Sequence, residues 1–248
     1  MSIDKTLLKR GLKRVAAKVL SINWFAPVPD RLKLLVARRA GVCDWHWYAR
    51  FILRSPGVAA EGPSHFLSFG NAEGKSPSPL FDPAWYCARF GLKASPLDAL
   101  MQYLCIGERL GLAPSPWFDP RYCRRTAPSS SGLRPVLGQY LVDYHNSGTP
   151  HPLFDQDWYL NQYPDVRDSG ANPLVHFLYD GIPEGRLPNP YFAPAWYLET
   201  YPDVGGNDPF AHFFAHGAAE GRSPGPEFNA RQYMDQNPDV ALTGMNAL

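Results

Sequence analysis

The sequence predicts an all-α protein: an array of two-helix repeats of about 37 residues, preceded by an amphipathic N-terminal helical segment. Three observations support this. An aromatic motif recurs six times at near-constant spacing, helix-start signals accompany most copies, and prolines fall at fixed positions between the helices. The 26 prolines are too many for long uninterrupted helices and too regularly placed for a disordered tract. We expect either a solenoid or a compact pile of helical hairpins.

The first element is a basic segment, residues 1–42. It holds ten Lys or Arg against two Asp, whereas the rest of the chain holds fourteen against twenty-one Asp or Glu. Residues 4–22 place apolar side chains on one helical stripe and most cations on the other side, which is typical of a helix lying in a membrane interface. The membrane-contact candidates are Lys5, Leu8, Lys9, Arg10, Leu12, Lys13, Arg14, Val15, Lys18, Val19, Trp24 and Phe25.

Two alternatives remain open for this segment. Its apolar stripe could cap the first repeat as a solvated helix. Nucleic acid is disfavoured as a partner because the segment lacks aromatics spaced to stack bases along a basic groove. A second amphipathic stretch, residues 31–39, follows and holds Leu32, Leu34, Leu35 and Val36.

The repeat occupies residues 43–248. Its copies start near residues 43, 81, 118, 154 and 192, with a partial copy at 228, at spacings of 38, 37, 36, 38 and 36 residues. The clearest starts are Phe154-Asp-Gln-Asp-Trp-Tyr159 and Phe192-Ala-Pro-Ala-Trp-Tyr197. The last copy stops where its second helix should begin, so either its lone first helix caps the array or, as we expect, the chain is a piece of a longer protein.

Each copy carries signals for two short helices. In the copy at 81, Asp82 can cap the first helix, Pro83 fits its first position, and Tyr86 can pack on Phe81. Equivalent caps are Asp44, Asp119, Asp155 and Asn229, with Ala193 as the exception. The second helix begins at pairs such as Asn172-Pro173 and is expected to end at C-terminal glycines, Gly181 and Gly217.

Several recurrent polar residues resemble site residues but are interpreted as structural. One position of the repeat is histidine in three copies, His65, His176 and His212, and glutamine in two others, Gln102 and Gln139. Glutamine keeps a hydrogen-bonding side chain but is a poor metal ligand. We therefore expect this position to make a hydrogen bond to a neighbouring turn and not to bind a metal. Asp165, Asp203 and Asp239 are expected in turns or caps. Glu184 with Arg186 and Glu220 with Arg222 are expected to pair with adjacent repeats.

We assign no catalytic, cofactor-binding or metal residue, because no nucleophile motif, phosphate-binding loop or zinc-ligand spacing is found. The four cysteines, Cys43, Cys87, Cys105 and Cys123, fit a reduced cytoplasmic compartment. No apolar run approaches the roughly 20 residues of a membrane span, so membrane association would be peripheral, on the inner face. Trp85, Trp158 and Trp196 could stack on sugars if their rings are exposed.

The unit F-D-x-x-W-Y … Y-P-D-V … N-P-L-x-H-F-L … G-x-x-E-G-R is best matched by residues 154–225. It resembles tandem repeats found beside bacterial glycosyltransferase domains and in some hemolysin-like calcium-binding proteins, and the resemblance covers about four-fifths of the chain. It implies a non-enzymatic scaffold with protein partners in cell-surface polysaccharide assembly. The alternatives are a glycan-binding module that uses exposed aromatics, or a fragment of a larger glycosyltransferase.

Overall fold

The computed structural model describes residues 25–127, 134–206, 209–218 and 220–236. Within these ranges the chain is helical and its only β pairing consists of isolated single-pair bridges, so the predicted all-α class is confirmed. No helix in these ranges is both long and apolar enough to cross a membrane. The α-helices are α1 Asp30–Arg39, α2 Trp45–Trp47, α3 Gly62–His65, α4 Pro83–Phe90, α5 Pro96–Gln102, α6 Pro120–Thr126, α7 Val136–Val142, α8 Gln156–Gln162, α9 Pro164–Ser169, α10 Pro173–His176, α11 Pro194–Thr200, α12 Pro209–His212 and α13 Ala230–Gln236.

Several short helices continue into a wider, π-helical turn. In the copies at 43, 81, 154 and 192 this turn extends the second helix and ends at a glycine. The π-helical turns are Tyr48–Ile52, Phe66–Gly70, Tyr103–Gly107, Phe177–Gly181 and Phe213–Gly217, and the 3-10 helices are Pro56–Glu61 and Pro202–Val204. Such turns are rare in proteins and occur mostly as single turns within α-helices.

The first helices begin as predicted. The carboxylates of Asp44, Asp82 and Asp155 each accept a hydrogen bond from the backbone N–H three residues on, at 2.9, 2.9 and 3.0 Å. Asn229 does the same at 3.0 Å, and Ala193 provides no side-chain cap. The ring centroids of the Phe and Tyr that flank each cap lie 5.3 to 5.7 Å apart in the copies at 81, 154 and 192. These contacts fix where the chain enters each first helix.

The second helix ends at the predicted glycines, but these glycines are not left-handed caps. Gly181 and Gly217 are the last residues of π-helical turns, and the left-handed residues are Gly185 and Gly221, with φ of 70° and 68°. These are the glycines of the Glu-Gly-Arg motif, where the chain turns back after the helix. The left-handed turn therefore lies four residues beyond the predicted cap.

The Tyr-Pro-Asp-Val motif also does more than separate two helices. Pro164 begins the additional helix α9, and Pro202 begins the 3-10 helix Pro202–Val204. Proline suits a first helical position because the N–H that it lacks would have no partner there. Val166 and Val204 are each about 1% exposed, so the motif adds a packed helical segment to the copies at 154 and 192.

The chain divides into two compact units. The first comprises Met1–Arg121 and Ser129–Asn146, and the second comprises Tyr122–Pro128 and Ser147–Leu248. In the first unit, Lys33 of α1 is 3% exposed and its ammonium group bonds Asp30 at 2.9 Å and Asp98 of α5 at 2.6 Å. In the second unit, Phe210 packs against Phe177 and Phe192, with ring centroids 5.9 and 5.2 Å away.

Candidate interaction surfaces

The histidine position bonds the tyrosine of the first helix. The tyrosine hydroxyls lie 3.1 Å from His65 Nδ1, 3.0 Å from His176 Nδ1 and 3.1 Å from His212 Nδ1. Where the copy at 81 has glutamine, the Tyr86 hydroxyl donates to Gln102 Oε1 at 2.6 Å. The predicted hydrogen bond therefore exists, but its partner is a buried tyrosine of the same copy and not a neighbouring turn.

Burial keeps the tyrosine hydroxyls of these pairs protonated. It raises the pKa of Tyr48 and Tyr197 to about 12, and it also raises the pKa of Tyr86 and Tyr159. A hydroxyl that stays protonated can donate, and both a neutral imidazole Nδ1 and an amide oxygen can accept. Burial also lowers the pKa of His176, which favours that neutral ring. The recurrent histidines thus supply an acceptor inside the fold.

A glycine completes each Tyr–His or Tyr–Gln pair. A Cβ added at Gly181 would lie 2.6 Å from the Tyr159 hydroxyl, and one at Gly217 would overlap the Tyr197 hydroxyl. The close approach of this hydroxyl explains the glycine that ends the π-helical turn of the second helix in the copies at 43, 81, 154 and 192. In the copy at 118 the tyrosine is replaced by buried Cys123, whose thiol donates to the Gly148 carbonyl at 3.2 Å.

Arginine and aspartate form a second recurrent cluster. Arg186 donates two hydrogen bonds to Asp165, at 3.0 and 2.8 Å, and one to Glu184 at 2.6 Å. Its guanidinium also lies 4.8 Å from the ring centroid of Tyr163. Arg222 repeats this arrangement with Asp203, Glu220 and Tyr201.

These ion pairs lie within one copy, so the predicted pairing with adjacent repeats is wrong. The left-handed turn at Gly185 brings the Arg186 N–H back to the Gly181 carbonyl at 2.8 Å, which directs its side chain towards the start of α9 in the same copy. Asp165 lies in the first turn of α9, as predicted, and its carboxylate additionally binds Arg186. That hydrogen bond lowers the pKa of Asp165, as Arg222 does for Asp203. Asp239 lies outside the described residues.

The membrane-contact candidates are mostly not described by the structure. Lys5, Leu8, Lys9, Arg10, Leu12, Lys13, Arg14, Val15, Lys18, Val19 and Trp24 lie outside the described residues. Phe25 is described and is half-buried. The next helix, α1, carries exposed leucine and valine side chains that the sequence pattern alone did not separate from its buried ones.

The glycan-contact candidates are half-buried. The indole rings of Trp85, Trp158 and Trp196 each meet the ring at the end of their own helix nearly at right angles, with centroids 6.2 to 6.3 Å apart. Part of each ring therefore contacts protein. An open pocket of about 500 Å³ in the first unit is lined by another tryptophan, Trp45, together with Gly41, Cys43, Asp44, His46, Ala59, Ala60, Leu141 and Val142.

The cysteine and metal-ligand chemistry is limited in the part of the chain that the structure describes. Burial raises the pKa of Cys43 to about 12, so its thiol stays protonated near neutral pH. Among the described residues no group of three or more His, Cys, Asp or Glu is placed to hold a metal ion.

Comparisons with models of known protein families, with curated proteins and with solved structures find no match for this chain. The same contacts between motif residues are repeated within successive copies. The N-terminal segment is strongly basic, whereas the rest of the sequence is acidic.

Proposed function

We propose that this chain is a non-catalytic scaffold in bacterial surface-polysaccharide assembly. Residues 43–248 form an array of two-helix repeats that binds protein partners such as glycosyltransferases. The basic segment, residues 1–42, holds this array on the cytoplasmic face of the membrane. The family resemblance of the repeat motif supports the polysaccharide context, and the contacts within each copy support the scaffold role.

One observation carries the scaffold proposal: the motif residues bond one another within their own copy. Tyr159 bonds His176, and Asp165 bonds Arg186, so the residues that resemble acid, base or metal ligands already have partners. Recruiting His176 for chemistry would leave the buried Tyr159 hydroxyl unsatisfied, which is costly. The repeat motif therefore builds a surface, and binding depends on what that surface exposes.

The charge distribution supports two kinds of partner. Residues 1–42 have ten basic against two acidic residues, whereas residues 154–227 have eleven acidic against three basic. The basic residues 1–42 suit an anionic lipid surface. The acidic residues 154–227 suit a cationic patch on a partner protein. Such complementarity mainly increases association rate and specificity.

Co-sedimentation with vesicles tests the membrane part of this proposal. In the full chain, Lys5, Lys9, Lys13 and Lys18 are replaced by Gln, and binding to vesicles with about 30 mol% phosphatidylglycerol is measured. Each cation near the surface contributes about 1 kcal/mol, so binding should fall at least about tenfold. The matched control replaces four exposed cations elsewhere, Arg54, Lys75, Arg89 and Lys93, by Gln. Equal binding by the two variants would overturn the membrane role.

The polysaccharide part is tested in the source cell. Deleting the gene should reduce surface polysaccharide, and a plasmid copy should restore it. The Lys5, Lys9, Lys13 and Lys18 variant should restore it less well than the control variant at equal protein level. Unchanged polysaccharide in the deletion strain would contradict the proposal.

A further inference from the structure

Helix α1 presents an apolar ridge to solvent. Leu32, Leu35 and Val36 are 54%, 44% and 46% exposed, and with Arg39 they occupy positions i, i+3, i+4 and i+7. Residues at this spacing lie on one face of a helix. Side chains of this size are usually buried, so a contiguous exposed ridge indicates a contact surface. We call Arg31, Leu32, Leu35, Val36 and Arg39 the outward face of α1.

The opposite side of α1 is held firmly, which fixes the direction of the outward face. Leu34 and Ala37 are buried, and Lys33 is inserted between Asp30 and Asp98. Burial alone would lower the pKa of Lys33, but its hydrogen bonds to Asp98 and Asp30 outweigh burial and leave the pKa raised. A buried ion pair of this kind fixes orientation because a rotated helix would leave both charges without partners.

The charge beside the ridge is positive. Arg31, Arg38 and Arg39 are exposed, while the one acidic residue of α1, Asp30, is engaged by Lys33 and by the Asn71 amide at 3.1 Å. At the C-terminal end of the helix, a Cβ added at Gly41 would lie 2.8 Å from the guanidinium of Arg134. The outward face therefore combines a narrow apolar strip with arginine on either side.

We propose that the outward face of α1 docks on an anionic lipid surface, with Leu32, Leu35 and Val36 entering the interface and the arginines binding headgroups. Arginine beside apolar side chains on one helix face is the pattern of interfacial helices. Residues 4–22 would bring further positive charge to a positive face, and so would the same face of a second molecule in a two-fold dimer, so both are disfavoured occupants. This inference rests on the proposed membrane association and adds a second, folded contact to it.

The test uses the full chain and vesicles of phosphatidylcholine with or without about 30 mol% phosphatidylglycerol. The face variant Leu32→Ser/Leu35→Ser should bind anionic vesicles about tenfold more weakly than the parent. Its matched control is Phe69→Ser/Leu110→Ser, which removes two exposed apolar side chains from the same unit. A polarity-sensitive fluorophore on Leu35→Cys should shift to the blue on anionic vesicles, and one on Leu110→Cys should not. Cys105, an exposed thiol, is replaced by Ser in both labelled proteins.

The outcomes separate this inference from the proposed function. If the Lys5, Lys9, Lys13 and Lys18 variant loses binding while the face variant binds like the parent, the inference fails and the proposed membrane role stands. If the parent binds no vesicle, both fail. If the parent self-associates in sedimentation velocity and the face variant is monomeric, a second molecule covers the face and the lipid proposal is overturned.

Discussion

At the scale of single residues, the tyrosine of the first helix is held by two partners in the copies at 43, 81, 154 and 192. The hydroxyl of Tyr159 bonds His176, and the same oxygen packs against the backbone of Gly181. A side chain larger than hydrogen at position 181 would occupy the space of the hydroxyl. The three residues should therefore be energetically coupled, although they lie on different helical segments of the copy.

A double-mutant cycle on Tyr159 and Gly181 tests this coupling. Gly181→Ala should lower the free energy of unfolding by about 1–3 kcal/mol, because the new Cβ meets the hydroxyl. Tyr159→Phe should cost about 1 kcal/mol through the lost hydrogen bond. In the Tyr159→Phe background the Gly181→Ala penalty should shrink, since the hydroxyl is gone. Urea denaturation measures all four proteins.

The control for this cycle is Gly206→Ala in the same unit, where an added Cβ would have no neighbour within 4 Å. It should change stability little in either background. A Gly181→Ala penalty that is the same with and without the Tyr159 hydroxyl would contradict the proposed coupling.

His151 should make the protein sensitive to acid. It is 1% exposed, its Nδ1 accepts from the Leu153 N–H at 3.1 Å, and burial lowers its pKa from 6.5 to about 3. Below about pH 6.5 the unfolded chain binds a proton that the native state does not. Stability is therefore fully present above that pH and falls as pH drops towards 3, by up to about 1.4 kcal/mol per pH unit.

The variant His151→Asn isolates this contribution. Asn189 occupies the equivalent position one copy later and accepts from the Tyr191 and Phe192 N–H groups at 2.7 Å, so an asparagine fits the turn chemically. Between about pH 7 and pH 4 the unfolding free energy of the variant should fall less steeply than that of the parent. The difference in slope should correspond to about one fewer proton taken up on unfolding. A residual slope is expected from His176, whose pKa is also lowered. An unchanged slope would exclude His151 as the acid-sensitive group.

Local sequence signals predicted the residue contacts that are local. The N-caps at Asp82 and Asp155 depend on residues within three positions, so capping chemistry sufficed to identify them. The partner of His176 lies 17 residues away on another helix, and the substitution by Gln indicated only that it is a hydrogen-bonding group. Its identity required the packing of α10 against α8.

At the scale of elements, the Tyr-Pro-Asp-Val and Glu-Gly-Arg motifs act as one clamp. The aspartate and arginine occur together in the copies at 154 and 192, and the copy at 81 has Leu92 and Leu112 instead. Tyr163 contributes twice, since its ring stacks under Arg186 and its hydroxyl accepts from the Leu187 N–H at 2.9 Å. Sequence spacing placed both motifs in the copies at 154 and 192, but the backbone turn at Gly185 decided that they meet within one copy.

Replacing Arg186 tests the clamp. Arg186→Lys should lower the urea midpoint although it keeps the charge, because lysine cannot make the paired bonds to Asp165 or stack flat on Tyr163. Arg186→Leu should lower it further. The double variant Asp165→Leu/Arg186→Leu, which mimics the copy at 81, should lose less than Arg186→Leu alone.

The matched control is Arg167→Lys on α9, an exposed arginine that pairs with its sequence neighbour Asp168. It should leave the midpoint nearly unchanged. Because Asp165 is exposed, about 1 M NaCl should reduce the difference between the parent and the Arg186→Lys variant. Equal midpoints for Arg186→Lys and the parent at low salt would show that the paired geometry adds nothing.

At the scale of the whole molecule, successive copies are linked by contacts that the repeat pattern did not reveal. Asn71 follows the glycine of one π-helical turn and accepts from the Leu97 N–H at the start of the next second helix, at 3.0 Å. Glu108 holds the same place one copy later and accepts from the Val136 N–H at 2.9 Å. The later copies have Ile182 and Ala218 there, so a consensus of the motif hides this polar link. The sequence thus predicted the repeat more completely than the contacts between its copies.

Because neighbouring copies contact one another, a substitution that destabilises one copy should also destabilise the next. His151, at the end of the copy at 118, lies 5.6 Å from Phe210 between ring centroids. Phe210 is also buried against Phe177 and Phe192, so its side chain joins the copies at 154 and 192. Phe210→Ala should cost about 3–5 kcal/mol. In hydrogen-exchange mass spectrometry, protection should fall through both of these copies and remain at parental levels in α1 and α5 of the first unit. Leu97→Ala, in the core of the first unit, should give the converse pattern. Loss confined to α12 would deny coupling between copies, and uniform loss along the chain would mean that the two units unfold as one.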